Sequence, residues 1–187
     1  MNTPNRLTIA RIFLAFICIG LIVRNSFGSL CWAFVVFLAA SLTDLLDGYL
    51  ARKRNITSDL GKILDPIADK ILIIGVFLAF LELGVVKAWM VGVIMLREFI
   101  VTSMRLYSLN KGVVLEAKRF GKHKAVSQVV GVVFIFITVI LFNITDSTSV
   151  YFSYYRLIPI VMWYVVLITL FSGVYYFWEN RRTIKTF

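Results

Sequence analysis

The sequence predicts an all-α integral membrane protein with six transmembrane helices. Hydrophobic residues make up 60% of the chain and the mean hydropathy is +0.87, whereas soluble domains are about 45–50% apolar. Six apolar stretches each approach the roughly 20 residues that a helix needs to cross a bilayer. No stretch alternates strongly with period two, as the strands of a membrane barrel do. The predicted spans cover residues 7–23, 29–50, 66–83, 88–107, 125–142 and 157–178.

A length of 187 residues without internal repeats or linkers predicts one domain over residues 1–187.

The distribution of basic residues predicts the orientation of the six spans. If the N-terminus is cytoplasmic, the outer turns keep only Arg24, Lys87 and Arg156, so both termini are expected on the cytoplasmic side of the cell membrane. The net charge of +10 then favours anionic membrane lipids. Because the basic stretches lack interleaved exposed aromatic residues, we expect no nucleic-acid partner.

The first span resembles a signal peptide only superficially. Arg6 and Arg11 precede an apolar run from Ile12 to Val23, but no small-residue cleavage site follows it. We therefore interpret this span as a retained helix.

The cysteines and the single histidine do not form a recognisable motif. Cys18 and Cys31 lie in apolar spans and are expected to be packed, unpaired thiols. His123 stands among lysines, and we expect it to lie in a loop with a solvated side chain. Without a second histidine, a zinc site is not expected.

The second and third spans carry four aspartates, which predict a metal site. Asp44 and Asp47 are three residues apart, and Asp65 and Asp69 are four apart, so each pair shares a helix face. An antiparallel helix pair joined by the loop around 52–60 would bring the two faces together. Four converging carboxylates would repel one another unless a cation lay between them. Carboxylate oxygens favour Mg²⁺, Mn²⁺ or Ca²⁺, and two such ions suit a displacement at phosphorus.

Small and basic residues between the aspartates suit a ligand that carries phosphate. Arg52 can make a two-pronged contact with a diphosphate, and Thr57 or Ser58 can cap the next helix, whose first amides attract anions. A buried salt-bridge network with Arg52, Lys62 or Lys70 would explain any single aspartate equally well. Such a salt-bridge network explains the complete pattern of four aspartates with small and basic residues between them less well. The small residues that would let a ligand approach closely are Gly48, Ala51 and Gly61.

The fourth and fifth spans add basic residues that predict a second phosphate site. Arg97 lies in the middle of a span, which is costly unless it lines a polar cavity. Arg105 follows about two turns later, and Lys122 precedes the fifth span. These three residues are expected to hold the phosphate of an acceptor substrate. A local pair of Arg97 with Glu98 or an aspartate is the alternative.

The sixth span ends in an aromatic group that indicates only a membrane interface. This group comprises Tyr175, Tyr176, Phe177 and Trp178.

The pattern D-x-x-D-G-x-x-A-R-x8-G-x3-D-x3-D, from Asp44 to Asp69, resembles the signature of the CDP-alcohol phosphotransferases. The resemblance implies a six-helix membrane fold, usually dimeric, with a polar cavity that faces the cytoplasm. It also implies that an alcohol displaces CMP from a CDP-linked partner with the help of two ions of Mg²⁺ or Mn²⁺. By position, the four aspartates would be the metal ligands and Asp69 also the base. The positions that would bind the CDP part are Gly48, Ala51, Arg52, Ser58 and Gly61.

Further motifs resemble the members of this family that make phosphatidylglycerophosphate. They are Leu64–Lys70, Arg97–Val101 and Gly121–Lys124 with Gln128, while Ala125 departs from the threonine that is common there. The expected reaction transfers the phosphatidyl group of CDP-diacylglycerol to glycerol 3-phosphate.

Three alternatives remain open at the level of sequence. The same chemistry could use phosphatidylglycerol, inositol phosphate or serine as the acceptor, although the basic residues disfavour serine. A divalent-cation transporter would use the aspartates as a transit site, but only Glu98 adds an acid to another span. A purely structural function as a membrane scaffold would not require the four aspartate carboxylates.

Overall fold

The computed structural model describes residues 3–54, 59–110, 119–144 and 148–184, which form six α-helices and no strand. The prediction of an all-helical fold with six helices is therefore confirmed for the described part of the chain. The helices are α1 (Thr3–Val23), α2 (Phe27–Arg54), α3 (Asp59–Glu82), α4 (Ala88–Asn110), α5 (Arg119–Ile144) and α6 (Thr148–Ile184).

Most helices extend beyond the predicted spans. α2 continues four residues further than the predicted end at 50, and α3 begins seven residues before the predicted start at 66. Hydropathy detects only the part of a helix that suits the hydrocarbon core, whereas backbone hydrogen bonding continues into polar sequence. As a result, all four aspartates lie within helices.

Two tight turns have clear local causes. Between α1 and α2, Ser26 precedes the helix, and the Ser29 amide donates to its Oγ over 3.3 Å. The Ser26 amide donates in return to Ser29 Oγ over 3.0 Å, which is a reciprocal helix cap. After α3, Gly84 has φ of 69°, a conformation that favours glycine, and Val85 N donates to Phe80 O over 2.9 Å.

The core lies where α2, α3 and α5 meet. The ring of Phe136 on α5 lies 5.7 Å from that of Phe37 and 4.9 Å from that of Phe80, measured between centroids. α1 packs extensively against both α2 and α3, whereas direct contacts between α2 and α3 are few in the described part of the chain. α6 packs against α4 and α5 and closes the other side.

The outer surface is strongly apolar on all six helices. Phe16 on α1, Trp32 on α2, Leu96 on α4 and Val174 on α6 are each more than half exposed. Soluble monomers rarely expose large contiguous apolar patches, so this surface favours a lipid environment. Among the described residues, His123–Ile144 and Arg156–Arg181 are long and apolar enough to cross a membrane. The prediction of six complete spans stays a prediction.

The cysteines and the histidine can now be placed. Cys18 is buried, Cys31 is partly buried and both thiols are free, as predicted. The prediction for His123 was wrong in one respect. Its side chain is exposed, but it lies in α5 rather than in a loop, because that helix begins four residues earlier at Arg119.

Candidate functional site

The backbone of α2 and α3 supports the predicted pairing of aspartates along each helix. Asp44 and Asp47 lie in the C-terminal half of α2, and Asp65 and Asp69 lie in the N-terminal half of α3. Both segments are continuous helix, so residues three or four positions apart share a face. The four side chains lie outside the described residues, and the metal site therefore stays a prediction.

The predicted CDP-binding positions flank the same helix ends. Gly48, Ala51 and Arg52 lie on α2, and Gly61 lies on α3. Their side-chain environments are outside the described residues, and Ser58 is outside them entirely. α3 begins at Asp59, directly after Ser58, which is where a helix with an N-cap at Ser58 would begin.

A buried ionic group lies between α4 and α5, centred on Glu98. Arg97 Nη1 donates to Glu98 Oε1 over 3.3 Å. Lys124 Nζ forms an ion pair with the same oxygen, and Gln128 Nε2 donates to it over 3.4 Å. The Glu98 and Lys124 side chains are only 9% and 11% exposed. One carboxylate oxygen thus accepts from three donors on two helices.

Arg97 is also held by α6. Its Nη2 donates to Ser172 Oγ over 2.8 Å. A Cβ atom added at Gly173 would lie 3.1 Å from Arg97 Cγ, so glycine permits the close approach of α6 to the arginine. Arg97 Nε is buried and has no hydrogen-bond partner. The guanidinium is therefore fixed at both terminal nitrogens and retains an unpaired inner donor.

Two further cations extend this group along the molecule. Arg105, two turns after Arg97, has a buried Nε without a hydrogen-bond partner, and its charge acts on Arg97. Lys70 on α3 lies within electrostatic reach of Glu98. We call Lys70, Arg97, Glu98, Arg105 and Lys124 the cationic cluster. Its four cations and one carboxylate carry an excess of positive charge, and Lys70 directly follows Asp69 in the sequence.

The predicted acceptor residues Arg97 and Arg105 both lie on α4, two turns apart. Their role in binding an acceptor phosphate stays a prediction. The pair of Arg97 with Glu98, which the sequence left as an alternative, is also present. Lys122 lies on α5, but its side chain is outside the described residues.

Sequence analysis placed Lys124 and Gln128 in a family motif but did not predict their burial or their contacts with Glu98. Lys124, Ser127 and Gln128 are all buried on the otherwise apolar α5. Their spacing of three and four residues places them on one face. That polar face within an apolar span was the available signal.

A buried cation outside the cationic cluster lies on α1. Arg11 is 2% exposed and Thr8 is 1% exposed, and each interacts with other groups. Sequence analysis used Arg11 only as a flank of the first span. Because α1 packs against both α2 and α3, this arginine belongs to the bundle interior.

A groove runs along the outside of α5 and α6. It has a volume of about 350 Å³ and is lined by apolar residues such as Val130, Ile168 and Phe171. His123, Ser127 and Ser172 also line it. One of its lining residues, Ser172, contacts Arg97 of the cationic cluster.

Comparison with known proteins identifies the family. The model of the CDP-alcohol phosphatidyltransferase family matches residues 1–174. The chain belongs to this family. The family resemblance predicted from the aspartate pattern is thereby confirmed.

Relatives in several bacteria match this CDP-alcohol phosphatidyltransferase over nearly its full length. A Bacillus subtilis protein is 33% identical over 99% of this chain and 98% of its own length. A Rickettsia felis protein is 32% identical over 94% of this chain and 93% of its own length. A Mycoplasma pneumoniae protein is 29% identical over 97% and 88%. All three are named CDP-diacylglycerol–glycerol-3-phosphate 3-phosphatidyltransferase.

Proposed function

We propose that this protein transfers the phosphatidyl group of CDP-diacylglycerol to sn-glycerol 3-phosphate, giving phosphatidylglycerophosphate and CMP. The observation that carries the proposal is the cationic cluster. It holds Arg97 and Lys124 on a single carboxylate, that of Glu98, with Arg105 two turns after Arg97 on α4, in a CDP-alcohol phosphatidyltransferase. The names of the full-length relatives agree with this reaction.

The charge of the cluster supports a phosphorylated acceptor. The cluster has four basic members and one acidic member, Glu98, and a buried cation such as Lys124 is costly unless an anion compensates it. A phosphate monoester carries up to two negative charges and several acceptor oxygens, which arginine recognises through paired hydrogen bonds. Serine has no phosphate and would offer the arginines no such paired hydrogen bonds. Arg97, Arg105 and Lys122 are the residues that we assign to the acceptor phosphate.

The aspartates fit a divalent-metal site by their chemistry and by their helices. All four are hard oxygen donors, the type that Mg²⁺ and Mn²⁺ prefer. Asp44 with Asp47 and Asp65 with Asp69 each lie on continuous helix. We assign these residues as ligands of two ions. When bound, the ions supply positive charge that stabilises phosphate oxygens.

The chain's own residues then perform a single displacement. Arg52, with Gly48, Ala51, Ser58 and Gly61, binds the CDP part and orients its diphosphate. Asp69 accepts the proton of the primary hydroxyl of glycerol 3-phosphate. The hydroxyl oxygen forms a bond to the β-phosphorus, which bears the diacylglycerol. The bond from that phosphorus to the bridging oxygen breaks, and CMP leaves with the electron pair.

Orientation of the two substrates supplies much of the expected rate. Holding the hydroxyl in line with the phosphorus replaces an encounter of two free molecules by a reaction within one complex. Lys70 directly follows Asp69 in the sequence, and its charge acts on Glu98. This relation supports an acceptor site beside the helix that carries the base.

The setting of the reaction is a lipid bilayer. The apolar outer surface of all six helices allows the lipid substrate to enter laterally from the inner leaflet. We propose six spans, both termini on the cytoplasmic side of the cell membrane, a cavity that faces the cytoplasm, and a homodimer as the assembled form.

The test is release of CMP by purified protein in detergent, with CDP-diacylglycerol, Mg²⁺ and one acceptor at a time. We expect release with glycerol 3-phosphate, loss of release on chelation, and none from Asp69→Asn. Release only with inositol phosphate or phosphatidylglycerol would retain the chemistry and overturn the acceptor assignment. If no acceptor supported release by folded protein, the proposed function would be wrong.

A further inference from the structure

We propose that Arg11 on α1 is a positioning residue for the metal site: its guanidinium bridges the carboxylates of Asp44 on α2 and Asp65 on α3 and orients them for the ions. The inference rests on the proposed function, because the metal site belongs to that proposal. It gives a role to a buried cation that the proposed reaction does not use.

Arg11 lies on the buried face of α1. Thr8, Arg11, Ala15 and Cys18 follow at intervals of three and four residues, so they share one face of the helix. None of these four residues is more than 2% exposed. Since α1 packs against α2 and α3, this face lies against those two helices.

The charge of Arg11 requires an anion from a neighbouring helix. A buried cation is costly unless an anion compensates it, and α1 carries no acidic residue of its own. The counter-charge is therefore expected from α2 or α3. The acidic residues of these two helices are Asp44, Asp47, Asp59, Asp65, Asp69 and Glu82.

The face of α2 that packs on α1 leads to Asp44. Cys18 Sγ donates to Ala33 O over 3.4 Å, so this part of α2 lies against α1. Phe37 and Ala40 follow Ala33 at intervals of four and three residues and are fully buried. Asp44 follows Ala40 by four residues on the same continuous helix, so its position extends this face.

The register of the antiparallel pair α1 and α2 puts Asp44 opposite Thr8. From the contact of Cys18 with Ala33, ten residues back along α1 and eleven forward along α2 reach these two positions. Side chains on a helix incline toward its N-terminus, so Arg11 extends from its own level toward that of Thr8. An arginine is long enough to span a turn of about 5.4 Å.

A close contact between α1 and α3 leads to Asp65 at the same level. A Cβ atom added at Gly75 would lie 2.6 Å from Ile19 Cδ1, so these two positions face each other. In a bundle of consecutive antiparallel helices, α1 and α3 run in the same direction. Eleven residues back along both helices lead from this contact to Thr8 and Leu64, and Leu64 directly precedes Asp65.

The other acidic residues of α2 and α3 lie at different levels. By the same register, Asp47, Asp59, Asp69 and Glu82 are each about one turn or more from Thr8. The carboxylates lie outside the described residues, and these levels are those of the helix backbones. Arg11 is thus level with one member of each predicted pair of metal ligands.

Arginine has the chemistry that such a bridge needs. Its planar guanidinium stays protonated and has five N–H donors, and a carboxylate that binds an ion keeps lone pairs for further hydrogen bonds. Groups that donate to metal ligands fix the orientation of those ligands. The positive charge also limits the repulsion between the aspartates before the ions bind.

Thermal unfolding in detergent with a chelator tests the bridge without catalysis. Arg11→Met should lower the unfolding temperature by about 10 °C, as for removal of one partner from a buried ion pair. Adding Asp44→Asn and Asp65→Asn to this variant should recover about half of the loss or more, because the uncompensated charges are gone. Arg24→Met is the matched control, since Arg24 is exposed directly after α1, and it should change little.

Mn²⁺ tests the same contact from the side of the metal. Saturating Mn²⁺ should raise the unfolding temperature of Arg11→Met more than that of the wild type, because the ions supply the positive charge that the arginine no longer gives. Arg11→Lys keeps the charge but loses the planar fork. Its unfolding temperature in chelator should lie between those of the wild type and Arg11→Met.

Several results would overturn the inference. If the two asparagine substitutions recovered nothing, or if they did not restore folding to an Arg11→Met protein that fails to fold, Arg11 would not contact these carboxylates. Equal losses with chelator and with Mn²⁺ would make it a packing residue. A higher KM for CDP-diacylglycerol with unchanged unfolding would assign it to the diphosphate.

Failure of the proposed function would give a different result. Neither unfolding experiment uses a substrate, so a protein that shows the expected recovery and Mn²⁺ response but releases no CMP would refute the proposed reaction and retain the bridge. If Mn²⁺ did not change the unfolding temperature of the wild type, the metal site would be wrong, and the positioning role of Arg11 would be wrong with it.

Discussion

At the scale of single residues, Glu98 decides how the cationic cluster is held together. Its Oε1 accepts from Arg97, Lys124 and Gln128, so it joins α4 to α5 and limits the repulsion between the cations. A buried ion pair adds little net stability compared with an apolar pair, but removal of one partner leaves an uncompensated charge. Glu98 is therefore a positioning residue rather than a catalytic one.

Glu98→Gln should destabilise the protein by about 3 kcal/mol, because Arg97 and Lys124 lose their counter-charge in a buried site. Thermal unfolding in detergent measures the effect. Glu82→Gln is the control, since Glu82 is exposed at the end of α3, and it should change little. The double variant Glu98→Gln with Lys124→Gln should recover part of the loss, because the two residues interact directly. Equal unfolding temperatures for the Glu98 and Glu82 variants would contradict this role.

At the scale of helices, hydropathy was sufficient to predict the number of elements but not how they contact one another. The six apolar stretches correspond to α1–α6, although hydropathy placed the start of α3 at 66 instead of Asp59. The aspartate pairs could be predicted because each lies on one helix. The contacts of Arg97 with Ser172 and of Val101 with Tyr176 join helices far apart in sequence. No periodicity within one helix reports the register between two, so the contribution of α6 could not be predicted.

Gly173 provides a test of the contact between α4 and α6. A side chain there meets Arg97 Cγ at 3.1 Å, and the larger Gly173→Val should push the arginine away from Ser172. Because small displacements of binding groups have large kinetic effects, we expect kcat/KM for glycerol 3-phosphate to fall about tenfold or more. Gly92→Val is the control, since nothing lies within 4 Å of a Cβ at that position. If both variants behave alike, the close approach has no functional role.

At the scale of the whole molecule, the arrangement separates two kinds of surface. Large apolar side chains are exposed on every helix, whereas the buried charged residues of the described part of the chain are Arg11 on α1 and Glu98 and Lys124 in the cationic cluster. This distribution suits an enzyme with one substrate in the bilayer and another in the cytoplasm. The basic residues, which exceed the acidic ones by ten, are predicted to face the cytoplasm.

The apolar surface predicts firm membrane integration. After expression, the protein should remain in the membrane pellet through a wash at alkaline pH and should require detergent for extraction, because its exposed aromatic and aliphatic residues contact lipid. A peripheral protein expressed in the same cells, released by the same wash, serves as the control. Recovery of this protein in the wash supernatant would contradict integration.

The most direct test of the central claim follows the glycerol 3-phosphate itself. Purified protein is given CDP-diacylglycerol, Mg²⁺ and glycerol 3-phosphate with a label in the glycerol, and the lipid and aqueous phases are separated. We predict that label enters the lipid phase as phosphatidylglycerophosphate, with one labelled lipid formed for each CMP released. Release of CMP without label in the lipid would contradict the account, because the phosphatidyl group would then have passed to another acceptor or to water.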